Sequence, residues 1–338
     1  MKHADFAYYL SGFFVKHLSE RKGASVNTVQ SYRDTFILLF RFLKDIYSIP
    51  AEKIELLTIQ KEHIEKFLEW LEKERGCSVG TRNVRLSAIH SFYKYMQYEL
   101  PDHLDLWQEI LSIPKKKEIQ NVMNYASLEG IQLLLKMPDQ KTPTGRRDLA
   151  LLSLMYDSGA RVQEIVDLNA GMIRVLSPAT VKLIGKGRKG RIVPLMDAQL
   201  KILKSYMKEH RLLLPENSMR PLFVNQQGER LTRAGIGYIL QKYVKMAHTE
   251  SPDIFPEKFS CHCMRHSKAM HMLQSGINLV YIRDFLGHTS IQTTEIYAKA
   301  DSAQKRKALE SAYEDIMPKT QEAEWQTNQN LLEWLKNL

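Results

Sequence analysis

Residues 180–195 read Thr-Val-Lys-Leu-Ile-Gly-Lys-Gly-Arg-Lys-Gly-Arg-Ile-Val-Pro-Leu. Two short runs of β-branched and apolar residues flank a Gly/Lys/Arg turn, the pattern of a β-hairpin. Elsewhere the apolar residues recur at helical spacing. The stretch therefore predicts a mainly α-helical protein with a small antiparallel sheet. The turn itself, Gly185-Lys186-Gly187-Arg188-Lys189-Gly190, has the spacing of a dinucleotide fingerprint. That motif must open a helix whose N-terminus faces a pyrophosphate, whereas Arg191-Ile192-Val193-Pro194-Leu195 is extended and contains a proline. A P-loop fails as well, because Gly190 is followed by Arg191-Ile192 and not by Lys and then Ser or Thr. What remains is either a cationic finger, with Lys186, Arg188, Lys189 and Arg191 within six residues, or a solvated turn.

Upstream, helices are expected from Ser127 and from Gly145, the second running through Arg146-Arg147-Asp148 to Gly159, a residue that tolerates the left-handed backbone of a helix end. Between Leu100 and Asn121 the pattern lapses. Pro101, Asp102 and Ile113-Pro114-Lys115-Lys116-Lys117 read there as a connection between domains, and three consecutive lysines are drawn to a phosphate backbone. Residues 1–100 are expected to be helical throughout: a helix capped by Asn27, others over 59–74 and 81–98, and a turn at Gly76-Cys77-Ser78-Val79-Gly80. The last of these helices carries Arg82, Arg85 and Lys94 beside Tyr93 and Tyr95. That set suits a DNA groove, and a solvated basic face explains the same residues. Beyond the hairpin the chain is helical again, with loops at 215–228 and 251–260. The expected domains are 1–113, a basic linker 114–120, 121–300, and a tail 301–338 that includes an amphipathic segment, Leu331 to Leu338.

The chain has 338 residues, 44% of them hydrophobic and 25% charged, which suits two globular domains. Its formal charge of +10 points to a polyanionic partner. Residues 1–113 hold 15 basic and 15 acidic side chains, 114–300 hold 28 and 16, and 301–338 hold 5 and 7, so the excess lies in the middle stretch. Three cysteines, at 77, 261 and 263, cannot build a disulfide framework and suit a reducing compartment, so the cytoplasm is expected. No apolar run reaches the length of a membrane span or a signal-peptide core.

Cys261-His262-Cys263-Met264-Arg265-His266 contains zinc-ligand types, but Cys261 and Cys263 are one residue apart and the third cysteine is far away, so no metal site is expected. On a helix, His262 and Arg265 lie three apart on one face, a pairing suited to acid–base and anion-binding work. Arg161 has Glu164 at i+3, which could be an ordinary helical ion pair. Asp284-Phe285-Leu286-Gly287-His288 is followed nine residues later by Tyr297. Two arginines, a lysine on a turn, two histidines and a tyrosine are together what phosphoryl transfer needs without a metal, because guanidinium forks bond non-bridging oxygens two at a time.

The order Arg161, Lys186, His262-x-x-Arg265, His288, Tyr297 resembles the tyrosine recombinase (phage integrase) family, closest in layout to the Xer-type recombinases. Tyr156-Asp-Ser-Gly-Ala-Arg161-Val-Gln-Glu164 is similar to the family's first arginine box, and Gly185 to Leu195 to its lysine hairpin. His262-Cys-Met-Arg265-His266 is similar to the second box, and Leu286-Gly-His288 through Thr293-Thr294-Glu295-Ile296-Tyr297 to the third. Met264, Lys268 and the two cysteines flanking His262 depart from the usual pattern.

The resemblance implies an N-terminal helical, SAM-like core-binding domain and a mixed α/β catalytic domain that clamp DNA between them. It implies that Tyr297 attacks a phosphodiester to form a 3′-phosphotyrosyl link, and that Arg161 and Arg265 bind the non-bridging oxygens. Lys186 would protonate the leaving 5′-oxygen, His262 accept the tyrosine proton and His288 hydrogen-bond the phosphate, with Glu164 orienting its neighbours. Neither ATP, metal nor other cofactor is implied. The implied partners are a double-stranded DNA recombination site and further copies of the chain, in a tetramer joined through the tail, with no membrane and no small-molecule substrate. Arg82, Arg85, Lys94, Lys115, Lys116, Lys117, Arg188 and Lys189 are the expected further DNA contacts. A topoisomerase-like enzyme of the same chemistry, or a non-catalytic DNA-binding relative, are the alternatives. No arm-binding domain is expected ahead of the helical region.

Overall fold

A computed structural model describes residues 5–118, 123–185, 189–288, 290–300 and 331–336. The chain divides into two units, residues 1–121 and 122–338.

The first unit is helical: α1 (Asp5–Gly12), continuing into a wider-wound segment Phe13–Arg21, then α2 (Val26–Tyr47), α3 (Lys61–Lys73), α4 (Val79–Glu99) and α5 (Leu104–Leu111). Ser25, not Asn27, caps α2; its backbone is extended there, so its hydroxyl can accept from Thr28 N at 3.2 Å, and Asn27 lies inside the helix. Ser78 caps α4 in the same way. The central ring of the core is Phe92 on α4, with Phe6, Phe13 and Phe36 at centroid distances of 5.2, 5.4 and 5.4 Å. Because α4 is enclosed on several sides, Tyr93 and Tyr95 are core residues and not groove-facing ones. The stretch after Leu100 is also more ordered than expected. Trp107 and Ile110 bury one face of α5, and the Trp107 indole donates to Leu100 O at 2.9 Å. Eight residues between two prolines are too short for periodicity to register as a helix.

The second unit contains α6 (Leu128–Lys136), α7 (Pro143–Ser158), α8 (Val162–Val166), β1 (Ile173–Arg174), β2 (Thr180–Ile184), β3 (Gly190–Pro194), α9 (Asp197–Glu209), α10 (Arg233–Glu250), α11 (Cys261–Gln274), α12 (Leu279–Leu286) and α13 (Gln292–Ala300). The strands form one antiparallel sheet in the order β1-β2-β3. The expected hairpin forms, with Thr180 opposite Pro194 and Ile184 opposite Gly190. Alternation sends Val181, Leu183 and Val193 into the core and leaves Lys182 and Ile192 outside. The two-residue β1 was not foreseen, being below the length at which alternation can be read. Lys186, Gly187 and Arg188, at the hairpin tip, lie outside the described residues. So does the tail between 301 and 330; Leu331–Lys336 is a short helix.

The main core joins α7, α10 and the inner sheet face through residues such as Leu151, Leu154, Leu183, Val193, Leu240 and Tyr243. A second, smaller cluster matters more for function. Ala269, Met270 and Leu273 of α11, Ile282 and Leu286 of α12, and Tyr297 of α13 pack together, so the tyrosine ring is held by apolar contacts from two neighbouring helices.

Candidate active site

Helix α7 ends at Gly159, whose φ of +55° a side chain would strain. A Cβ there would also stand 2.9 Å from Leu286 Cδ2, so this glycine lets the α7 end approach α12 closely. Two residues later Arg161 occupies the N-cap of α8, and Glu164 reaches back over the turn. Glu164 Oε2 accepts from the Arg161 amide at 2.8 Å and Oε1 from Arg161 Nη1 at 3.0 Å. The i+3 ion pair is thus real, but it is only part of what Glu164 does. Arg191 on β3 donates to both Glu164 oxygens at 2.8 Å, and its Nε donates to Phe285 O at 2.8 Å. Glu164 is 3% exposed. Burial pushes its pKa up, yet the hydrogen bonds and charge of Arg191 and the Arg161 contacts outweigh that and hold it below the usual carboxylate value.

Arg265 enters from α11, which Ser260 caps. It is 1% exposed, with Nη1 donating to Gly159 O at 2.6 Å and Nη2 to Leu286 O at 2.7 Å. Burial, then the charges of Arg161 and Arg191, pull its pKa down to about 9, which leaves it charged at neutral pH. Two guanidiniums therefore bond one carboxylate while a third, Arg265, is held nearby by backbone carbonyls, and the surplus positive charge sits where little water can screen it. A monoanion entering beside Arg161, whose side chain is 39% exposed, would relieve that surplus.

Tyr297 is 1% exposed, and its hydroxyl lies 3.0 Å from His266 Nδ1. Burial raises its pKa, opposed by the nearby Arg265 and Arg161. The His288 ring lies parallel to the Tyr297 ring at 6.4 Å, and His288 Nδ1 pairs with Thr294 Oγ1 at 2.9 Å. Burial, then Arg265, Arg161 and Arg191, drive His288 down to about 4, so it is neutral at physiological pH. His262 is exposed and stands edge-to-face on His266 at 4.1 Å. Its pKa is lowered by burial of the ring and by Arg265 and Arg161. The described residues so bring Arg161, Glu164, Arg191, His262, Arg265, His266, His288 and Tyr297 to one place.

Residues 124–304 match the phage integrase family, and residues 13–99 match the phage integrase N-terminal SAM-like domain. The chain belongs to the phage integrase family, the tyrosine recombinases. The Sinorhizobium fredii protein y4rC, named an integrase/recombinase, is 36% identical over 91% of this chain and 92% of its own length. Tyrosine recombinase XerC of Thermodesulfovibrio yellowstonii is 29% identical over 94% of this chain and 98% of its own. Among solved structures, the XerH site-specific recombinase in its post-cleavage complex with palindromic difH shares the fold, with a TM-score of 0.65 at 21% identity, over 86% of this chain and 80% of that one. This chain is accordingly a site-specific DNA recombinase, an enzyme that cleaves and rejoins DNA strands.

In this recombinase the structure departs from the sequence reading at particular residues. The resemblance implies that His262 accepts the Tyr297 proton, whereas the side chain bonded to that hydroxyl is His266. Arg191, taken only as part of the cationic finger, is committed to Glu164 and Phe285. The bidentate geometry depends on β3 lying against α8, which no local spacing reveals. Thr294 is likewise a partner that only the fold supplies. Lys186 and Arg188 lie outside the described residues. The base of their hairpin is nonetheless adjacent to the site, since a Cβ on Gly185 would stand 3.1 Å from Glu164 Oε1.

In the first unit, Arg82 is 6% exposed and donates to Pro114 O and Asn83 Oδ1, each at 3.0 Å. Arg85 donates to Ser31 O at 2.9 Å and to Thr35 Oγ1 at 3.1 Å. Both are bound within the bundle and do not stand free for phosphate. Lys94, Lys115, Lys116, Lys117 and Lys189 are exposed, with Lys116 paired to Glu72 at 2.6 Å. The unusual Lys268 pairs with Asp157 at 3.1 Å and lies over the Tyr156 ring, while Met264 fills the core. Burial pushes the Cys261 thiol up to about 11.

Proposed function

We propose that Tyr297 is the nucleophile of strand cleavage and that its own chain supplies the surrounding machinery. The observation that carries this is the convergence of the Tyr297 hydroxyl with His266, His288 and a buried surplus of guanidinium charge. Arg161 and Arg265 hold the non-bridging oxygens of a scissile phosphate, and His288, neutral and fixed by Thr294, presents its remaining ring nitrogen as a further hydrogen-bonding group. The Tyr297 oxygen forms a bond to phosphorus as the 5′-oxygen leaves. Lys186 delivers the proton that makes the departing 5′-oxygen a hydroxyl, and the 5′-hydroxyl of a partner strand later reverses the step. The energy of the phosphodiester stays in the phosphotyrosyl link, so no ATP is consumed.

The partner is a double-stranded recombination site. A groove lined by Val162, Arg233, Leu240, Gln241, Ser260 and His262 adjoins the site, and Arg233 there would meet the sugar-phosphate backbone. Four copies are proposed to assemble on that DNA, with residues 301–338 joining neighbours. The units 1–113 and 121–300 and the basic linker 114–120 are each proposed to contact the duplex. Among the described residues no helix is long and apolar enough to cross a membrane. A cytoplasmic location is proposed from the three cysteines, which suit a reducing compartment.

Sequencing the DNA trapped covalently on the denatured protein tests this reading. A single recurrent sequence is expected, together with loss of the adduct in Tyr297→Phe while DNA binding persists. An adduct that survives in Tyr297→Phe overturns the assignment.

A further inference from the structure

We propose that His266 is the residue that positions the Tyr297 hydroxyl and takes its proton as the phosphotyrosyl bond forms. The inference rests on the reading of Tyr297 as nucleophile. It differs from the expectation drawn from sequence, which gave the proton to His262.

Geometry comes first. His266 Nδ1 lies 3.0 Å from the Tyr297 oxygen, within direct hydrogen-bond reach. Its ring also meets the Tyr297 ring edge-on, at 5.6 Å and 62°, so histidine and phenol are held as a packed pair. His262, the alternative acceptor, is exposed and meets the His266 ring edge-to-face at 4.1 Å. His266 follows Arg265 directly on α11. One turn of backbone therefore fixes both the guanidinium that holds Gly159 and Leu286 carbonyls and the imidazole that holds the nucleophile. Small shifts of α13 would break the bond, and the apolar cluster around Tyr297 resists them.

The proton inventory is consistent. Burial, then His262 and Arg265, hold His266 down to about 4, so before DNA binds it is neutral. With its hydrogen on Nε2, it offers a lone pair on Nδ1 to the phenol. The groups facing it are His262 and Arg265 on α11 and Tyr297 on α13, with His288 and Arg161 beyond. A phosphodiester seated on Arg161 and Arg265 brings a negative charge among these cations and so raises the basicity of His266 when it is needed. As the Tyr297 oxygen bonds to phosphorus, its proton passes to Nδ1 and the P–O5′ bond breaks. On rejoining, His266 returns that proton to the departing phenolate.

The test uses full-length protein and a duplex of the sequence recovered by covalent capture, nicked close to the cleavage position so that the adduct accumulates. Adduct formation is followed from pH 6 to 10 for wild type, His266→Ala, His266→Asn and His262→Ala, with DNA affinity measured in parallel. His266→Ala should form adduct about 10²-fold more slowly near neutral pH, within the range removed with a general base. Its rate should climb steeply with pH, because alkali then removes the phenolic proton directly. His266→Asn, which keeps a hydrogen-bonding group but cannot carry the proton, should show the same slope.

A 5′-bridging sulfur in place of the leaving oxygen should rescue Lys186→Ala and not His266→Ala, since a thiolate leaves without needing an acid. Three outcomes overturn the proposal: His266 variants within about twofold of wild type with an unchanged pH profile, a pH-independent loss in both of them despite intact DNA binding, or transfer of the pH slope to His262→Ala. An adduct still formed by Tyr297→Phe would instead overturn the reading of Tyr297 itself.

Discussion

Replacing Glu164 by Gln removes one charge without changing shape, at the one carboxylate on which Arg161 and Arg191 converge. Glu164 is 3% exposed and Arg191 is 11% exposed, and the two are joined by parallel bonds of 2.8 Å. In Glu164→Gln the side-chain amide turns an N–H toward one guanidinium nitrogen, donor against donor. Arg161, Arg191 and Arg265 are then left with no buried counter-charge. Removing one partner of a buried pair costs about 3–5 kcal/mol. For a unit of this size each kcal/mol moves Tm by about 2–4 °C, so the transition of the second unit should fall by roughly 6–20 °C.

The acid branch supplies a sign check. The folded pKa of Glu164 lies below the ordinary 4.5, so its contribution is fully present above that value and is lost as pH falls through the folded pKa. Wild type and Glu164→Gln should therefore draw together in stability as pH falls below 4.5 and on through the folded pKa, and stay apart above it. Thermal unfolding followed by circular dichroism across pH 3–8 measures both effects. A Glu164→Gln protein within 1 kcal/mol of wild type at pH 7, or a gap independent of pH, would refute the view of Glu164 as the counter-charge of the arginine cluster.

Gly159→Ala should lose at least about 1–2 kcal/mol through its left-handed backbone alone. Because the Gly159 carbonyl holds Arg265, its adduct formation should fall more than its stability does; equal activity at reduced Tm would show that Arg265 does not depend on that carbonyl. Tyr93→Phe should stabilise the first unit by about 1 kcal/mol, because the buried Tyr93 hydroxyl has no hydrogen-bond partner among the described residues; chemical denaturation reads this, and a loss of stability would reveal a partner. Arg82→Gln should destabilise the first unit by about 1–3 kcal/mol and leave the salt dependence of DNA binding unchanged. Changing Lys115, Lys116 and Lys117 together to Gln should flatten that salt dependence by roughly two to three in slope, and the reverse pattern would return Arg82 to the DNA surface.

The sequence by itself determined the two helical regions, the hairpin over 180–195 and the residue types of the site. Each is written in local spacing: a period near four for helices, alternation for strands, glycine where the backbone must turn left-handed at Gly159. Arg161 with Glu164 and His262 with Arg265 could be paired because three residues on a helix bring side chains to one face. Capping was legible only to within two residues, since Ser25 and Asn27 both suit the position and the backbone entry angle chose between them.

Tertiary structure alone decided which of the polar groups are spent on the fold and which are left for chemistry. Arg82 and Arg85 look like surface arginines in sequence, yet α4 is surrounded, and their guanidiniums are consumed by carbonyls from Pro114 and Ser31. Arg191 looks like one of four finger cations, yet it is folded back onto Glu164 across 27 residues. The exchange of His262 for His266 at the Tyr297 hydroxyl has the same origin. Spacing along α11 offers both histidines, and the packing of α13 against α11 brings Tyr297 to one of them. Local order follows from short-range geometry that every window of sequence carries, whereas a buried charge finds its partner only when distant segments are brought together and water is removed.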